Sequence, residues 1–299
     1  MRGRADVRQI FAYDGSVAAI EALAGEVCGV LGLRRELSLR GQRFAAEHRL
    51  LHECTEGEVP SVLFGRDESG RHGNFHSDSY ERICRNRAWA RRLEKVHTAS
   101  KRSRLRANWR WRELDCVNSS DALLMNIFCH PAAASSRLVR TLLGVGEDAE
   151  PEFGVKPRTP LANGARDNTE IDMRIGDLLV EAKLTESDFQ CARRGLIARY
   201  RDLEAVFDVA ELAVRDGKQS GYQLIRGTLA AYATGGSFAV FCDARRPDLV
   251  EEWFRTMRAV RAADLRWRLK LLTWQELAAA LPEDLQGFLA AKYGIVGAA

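Results

Sequence analysis

No stretch of this 299-residue chain is apolar for long enough to cross a bilayer, so a membrane partner is not expected. Cys-x-x-Cys pairs are missing too. The seven cysteines (Cys28, Cys54, Cys84, Cys116, Cys129, Cys191, Cys242) are odd in number and scattered, which fits reduced thiols in a cytoplasm better than a disulfide framework. The opening residues, MRGRADVRQIFAYDG, carry arginines but no uninterrupted apolar run and no small-residue cleavage site, so export is not expected. Glycines in GEVCGVLG follow no strand and precede no Lys-Ser/Thr pair, which removes both a dinucleotide fingerprint and a phosphate loop. A Gly-x-Ser-x-Gly elbow, an internal repeat and a low-complexity tract are also lacking. What is left is an ordinary globular composition, long enough for one large or two modest domains.

Net charge is only +4, but its distribution is uneven. From Arg82 to Arg112 the chain carries twelve Lys or Arg and a single acid, Glu94, with Trp89, Trp109 and Trp111 interleaved. Such a segment suits a polyanion: cations neutralise phosphates with counterion release, and an indole can stack on an unpaired base. Arg91, Arg92, Lys95, Lys101, Arg102 and Arg104 are the candidate nucleic-acid contacts. The alternative is an amphipathic helix with Trp89 and Leu93 in the core and its arginines solvated.

The sequence TEIDMRIGDLLVEAKLTE, residues 169–186, crowds Glu170, Asp172, Glu181 and Lys183 around a turn at Gly176 and Asp177. Ile171, Met173 and Ile175 alternate, and Leu178, Val180, Ala182 and Leu184 continue the pattern, as two half-buried strands would. With Gly176 and Asp177 as a two-residue loop, Ile175 faces Leu178, Asp172 faces Glu181 and Glu170 faces Lys183, all four charged groups on the side away from the apolar set. Opposed Cβ atoms in such a pair lie about 4.5–5.5 Å apart, and like charges there repel. Mg²⁺ would compensate Asp172 and Glu181; a solvated face on which the charges simply stay wet is the other reading.

These residues resemble the PD-(D/E)XK nuclease superfamily: an Asp on one strand, then acid-x-Lys, here EAK, on the next, with Ile171 where a Pro commonly precedes the Asp. The segments GNFHSDSYERICRNRAWARRLEKVH, NSSDALLMNIFCHP and GYQLIRGTLAAY resemble blocks of bacterial restriction-endonuclease-type members, so the likeness spans roughly residues 70 to 280. It implies an α/β fold, a restriction-endonuclease-like mixed sheet flanked by helices, and phosphodiester hydrolysis of DNA with Mg²⁺, or Mn²⁺ in its place. RNA stays open as a substrate, and a homodimer is allowed because many enzymes of this fold cut duplexes as dimers. Asp172 and Glu181 become the metal ligands. Lys183 positions or deprotonates the attacking water, or stabilises charge on phosphorus. Glu170 either adds a ligand or orients Lys183 as an ion-pair partner, the latter favoured by register. Gln223 and Arg226, one helical turn apart, either reach the same cleft or form a polar helix edge.

Residues 1–115 are expected to form a helical, basic amino-terminal region and residues 116–299 the nuclease-like domain. Ser119 or Ser120 caps a helix interrupted near Pro131 and closed by Gly144. Residues 145–168 hold three of the seven prolines and read as a linker or irregular approach to the hairpin. Helical stretches are expected from about Ser187 to Leu212 and from about Ser220 to Ala233; GSFAVFC and LRWRLKLLTW read as strands, with a helix from Pro247 between them. Thr273 with Glu276 forms a capping box. The pairs His48/His52, with Cys54 nearby, and His72/His76 have zinc-compatible i, i+4 spacing, but no further ligand completes either set. Three functions compete: a Mg²⁺-dependent DNA endonuclease, a nucleic-acid-binding protein with a catalytically silent nuclease-like core, and a structural α/β protein with a salt-bridged patch.

Overall fold

The computed structural model describes residues 29–55, 60–96 and 111–297. Five strands form the central sheet: β1 (Pro151–Val155), β2 (Ile171–Ile175), β3 (Leu178–Ala182), β4 (Ser237–Cys242) and β5 (Leu269–Thr273), in the spatial order β5-β4-β3-β2-β1. Pairings of β1 with β2 and β2 with β3 are antiparallel, whereas β4 runs parallel to both β3 and β5. Around this mixed sheet lie α1 (Val30–His48), α2 (Ser77–Arg85), α3 (Ser120–Phe128), α4 (Tyr222–Thr234), α5 (Pro247–Arg258), α6 (Trp274–Ala278) and α7 (Glu283–Tyr293). None of the helices among the described residues is long and apolar enough to cross a membrane.

Alternation along β4 sends Ala239 and Phe241 to one core and Phe238, Val240 and Cys242 to the other. The first core also takes Met173, Ile175, Leu178, Val180 and Ala182 from the hairpin, Leu33 and Leu37 from α1, and Leu285 and Leu289 from α7. Leu179, with Leu224, Ile225 and Leu229 of α4 and Trp253 of α5, fills the second. Full burial of Phe238 or Phe241 stabilises the fold by about 1.5–3 kcal/mol each. Helix α4 crosses β4 at Gly227, where an added Cβ would come within 2.3 Å of the Phe238 ring, so only glycine lets the helix come this close.

The hairpin register is as expected: Ile175 pairs with Leu178, Arg174 with Leu179 and Met173 with Val180. Gly176, at φ 59°, takes the left-handed position that leads a two-residue loop. The strands are not both half-buried, however. All five residues of β3 are buried, because parallel pairing with β4 places it inside the sheet and helices cover both its faces. That removes the solvated-face reading of Glu181.

Ser119 caps α3 by accepting from Ala122 N, Pro131 opens the next short helix, and Gly144 closes the one after it at φ 69°. The proline-rich segment before the hairpin is more ordered than its composition suggests, since it supplies β1. Pro151 is tolerated as the first residue of this edge strand, where its missing N–H costs no ladder bond. Between residues 187 and 212 only two single turns are helical, Arg194–Ile197 and Leu203–Val206. Cross-chain bridges of Ala192 to Gln219, Tyr200 to Leu161 and Phe207 to Val260 hold that chain extended instead. The basic stretch is likewise broken: Asn86 ends α2 and its side chain caps the next turn by accepting from Ala88 N and Trp89 N. The helical reading of residues 1–28 lies outside the described residues.

Candidate active site

Strand β3 delivers Glu181 near its end, and Lys183 follows on the same side of the chain. The Lys183 Nζ lies 2.7 Å from Glu181 Oε1, and the two residues are only 4% and 2% exposed. Placing an ion pair so deep is a poor way to gain stability, because desolvation offsets the Coulomb attraction and apolar side chains would pack there as well. Its backbone is fixed on both sides: Lys183 N donates to Phe241 O of β4 at 2.8 Å, and the Trp274 indole of α6 donates to Lys183 O at 2.8 Å. Burial works against the ammonium, but Glu181, Glu186 and Asp172 outweigh it and hold the Lys183 pKa above the ordinary lysine value.

Asp172 of β2 is partly buried and accepts from Ala182 N at 2.8 Å through Oδ2. Its carboxyl is pushed well above the usual range, by burial first, then by the neighbouring carboxylates of Glu181 and Asp121. Gln223 and Arg226 of α4 do reach the strand patch: Gln223 Nε2 donates to Glu181 Oε1, and Arg226 Nη2 stands 3.7 Å from Glu181 Oε2 while donating to Glu170 O at 2.9 Å. Glu170 does not pair with Lys183. It lies before β2, on the solvent side, and its carboxylate meets Arg92 Nη1 at 3.2 Å, so Lys183 takes Glu181, two residues back, instead. Glu186 turns back to accept from Ser120 Oγ at 2.5 Å and from Leu184 N at 2.7 Å.

Asp121 is the member that sequence reasoning missed. It lies in the first turn of α3, where an acid is ordinarily explained by the helix dipole, and it accepts from Arg92 Nη2 at 2.9 Å and Lys95 Nζ at 2.5 Å. Thus two of the cations assigned to nucleic acid, Arg92 and Lys95, are engaged with acids of the patch, while Arg91 is exposed. Lys101, Arg102, Arg104 and Trp109 lie outside the described residues. Trp89 is core, its indole donating to Pro151 O at 2.9 Å. The histidine pairs part company: His48 and His52 contact the Phe44 and Leu50 carbonyls, and His72 contacts Asp115 at 3.0 Å, leaving His76 to a different neighbourhood.

Asp172 and Glu181 offer carboxylate oxygens alone, the donor type of a hard divalent cation such as Mg²⁺, whereas Asp121 and Glu170 are engaged by Arg92 and Lys95. Among the described residues, Gln223 Oε1 is a buried acceptor in this patch without a hydrogen-bond partner. An open acceptor beside the carboxylates of Asp172 and Glu181 fits such an ion, and those two carboxylates would hold it.

A five-stranded mixed sheet flanked by helices, with an Asp and an acid-x-Lys on its adjacent antiparallel strands, defines a restriction-endonuclease-like core. The chain belongs to the family described as Restriction Endonuclease associating with ARP, which matches residues 42–294 and so begins inside α1, well before the blocks that carry the resemblance in sequence. Comparison with curated proteins and with solved structures returns no match.

Proposed function

We propose that this protein is a Mg²⁺-dependent endonuclease that hydrolyses phosphodiester bonds of DNA, with Mn²⁺ able to replace Mg²⁺. The observation that carries this reading is the convergence of Asp172, Glu181 and Lys183 with Gln223 and Arg226 from α4. Asp172 and Glu181 hold the cation, with Glu170 and Asp121 at the margin. When bound, the ion polarises a phosphoryl oxygen and lowers the pKa of a water. Lys183 donates to the developing charge on phosphorus or orients that water, and Gln223 fixes the Glu181 carboxylate. Exposed Arg91, with Lys101, Arg102 and Arg104, neutralises backbone phosphates, so binding weakens as salt rises, while Arg92, Lys95 and Arg226 stay on the acids of the patch.

One observation favours the rival reading, a nucleic-acid-binding protein with a silent core: Glu181 and Lys183 are covered. Incubating the folded protein with duplex DNA, single-stranded DNA and RNA in Mg²⁺, Mn²⁺ or EDTA separates the two. The nuclease reading expects cation-dependent cuts in DNA, reduced by about 10³-fold or more in Asp172→Asn at unchanged folding. Salt-sensitive binding with no cleavage in either cation would hand the case to the silent core, and neither binding nor cleavage to a purely structural protein.

A further inference from the structure

Away from the strand patch, three separate segments bring a second set of ionisable groups together. His76 caps α2, Asp78 lies in its first turn, His130 directly precedes Pro131, and Asp284 lies in the first turn of α7. One ligand atom from each of the four falls within 4.8 Å of all the others. The His130 Nε2 is 3.3 Å from Asp284 Oδ2 and 4.0 Å from Asp78 Oδ2, and His76 Nε2 is 3.9 Å from Asp284 Oδ2. In a tetrahedral site with bonds of about 2.0–2.1 Å, ligand atoms sit about 3.3 Å apart, so one edge already has that length and the others need only small side-chain rotations.

His130 supplies the second, independent observation. It is 1% exposed, and neither of its ring nitrogens has a hydrogen-bond partner among the described residues, although Nε2 is aimed at the two carboxylates. A buried imidazole whose Nδ1 has no partner and whose Nε2 has only the ionic contacts with Asp284 at 3.3 Å and Asp78 at 4.0 Å is costly unless something fills the gap. No Lys or Arg among the described residues forms an ion pair with Asp78 or Asp284, so none of the described side chains supplies the missing cation. Access exists: Asp78 and Asp284 side chains are about half exposed, and His76 and Asp284 line a cavity of about 900 Å³.

We propose that His76, Asp78, His130 and Asp284 form a zinc-class metal site that clamps α2, the turn before Pro131 and α7 together. Imidazole nitrogen with carboxylate oxygen suits Zn²⁺ and its transition-metal neighbours, whereas an all-oxygen set suits Mg²⁺. Ligation through His76 Nε2 places the ring proton on Nδ1 and gives up the long 3.4 Å contact that Nδ1 now accepts from Asp78 N. This site stands apart from the nuclease reading and survives its failure.

The test uses the full chain without an affinity tag, stripped of metal and given Zn²⁺ or Co²⁺ alone. Expected are about one zinc retained per chain after gel filtration, a tetrahedral Co²⁺ absorption band that excess Mg²⁺ does not remove, and a melting temperature that rises with free Zn²⁺. Because Asp78 and Asp284 are half exposed, the Asp78→Asn/Asp284→Asn double variant keeps the metal-free melting temperature of the wild type. It should lose the band and bind zinc about 100-fold or more weakly; His130→Asn should do the same, and Asp172→Asn should bind as the wild type does. Absence of retained zinc and of the band, or a double variant that binds like the wild type, would overturn the proposal.

Discussion

Around Glu181 the chain answers crowded carboxylates with its own cations, Lys183, Arg226, Arg92 and Lys95, and buries the result under α4. Around His130 it does the opposite, leaving two half-exposed aspartates facing two imidazoles with no lysine or arginine among the described residues paired to them. The first arrangement is self-compensated. The second has no internal substitute among the described residues, which suits an ion that stays. Charge crowding alone thus says little about chemistry; what matters is whether the compensating group is covalently part of the chain.

The sharpest way to break this contrast is Lys183→Met. Removing it leaves Glu181 buried without its nearest cation, and the free energy of unfolding should fall by about 3–5 kcal/mol, whereas metal-free Asp284→Asn should change it by less than about 1 kcal/mol. Equal, small effects in urea titrations would mean that the strand patch is not internally compensated. A smaller loss is expected from Gly227→Ala, which forces α4 off the Phe238 ring and carries Gln223 and Arg226 with it. About 1–3 kcal/mol of stability should go, together with part of any cleavage activity, at unchanged zinc retention.

Least in size is a pH effect on α7, the helix that also carries Asp284. Lys292 is fully buried, its Nζ donating to Gly73 O at 2.7 Å and lying 4.2 Å from the Phe64 ring centroid, and burial pushes its pKa well below the ordinary lysine value. The native state therefore sheds this proton at lower pH than the unfolded chain does. Across the window from the depressed pKa up to the ordinary one, the unfolded state binds more protons and stability rises with pH, by at most about 1.4 kcal/mol per unit. Unfolding curves over the pH range just below the ordinary lysine pKa should show this rise in the wild type and a flatter dependence in Lys292→Met; an unchanged slope would assign it to other groups.

The hairpin was legible because its determinants are local: a glycine at positive φ and apolar residues at every second place fix the register before any tertiary contact is known. Asp172, Glu181 and Lys183 follow from it. Glu170 was misjudged because register was extended past the end of β2, where the side chain is free to meet Arg92. Asp121 stayed hidden since an acid in a first helical turn already has a sufficient local explanation. Pro151 disguised β1, because a proline is informative about strands only once one knows that the strand is an edge. The histidine cluster was beyond reach in a different sense. His72 and His76 have the right spacing, yet His76 finds its companions at positions 130 and 284, and no local pattern predicts which turns of a fold will meet.

The bond from the Trp274 indole to Lys183 O joins residues 91 positions apart. Synthesis runs from the amino terminus, so every residue of the acid-x-Lys motif leaves the ribosome before the tryptophan that anchors its lysine, and before the parallel strand β4 that receives Lys183 N. A chain interrupted anywhere in between holds the whole motif and lacks its support. The order of synthesis itself delays assembly of this site until most of the protein has been made.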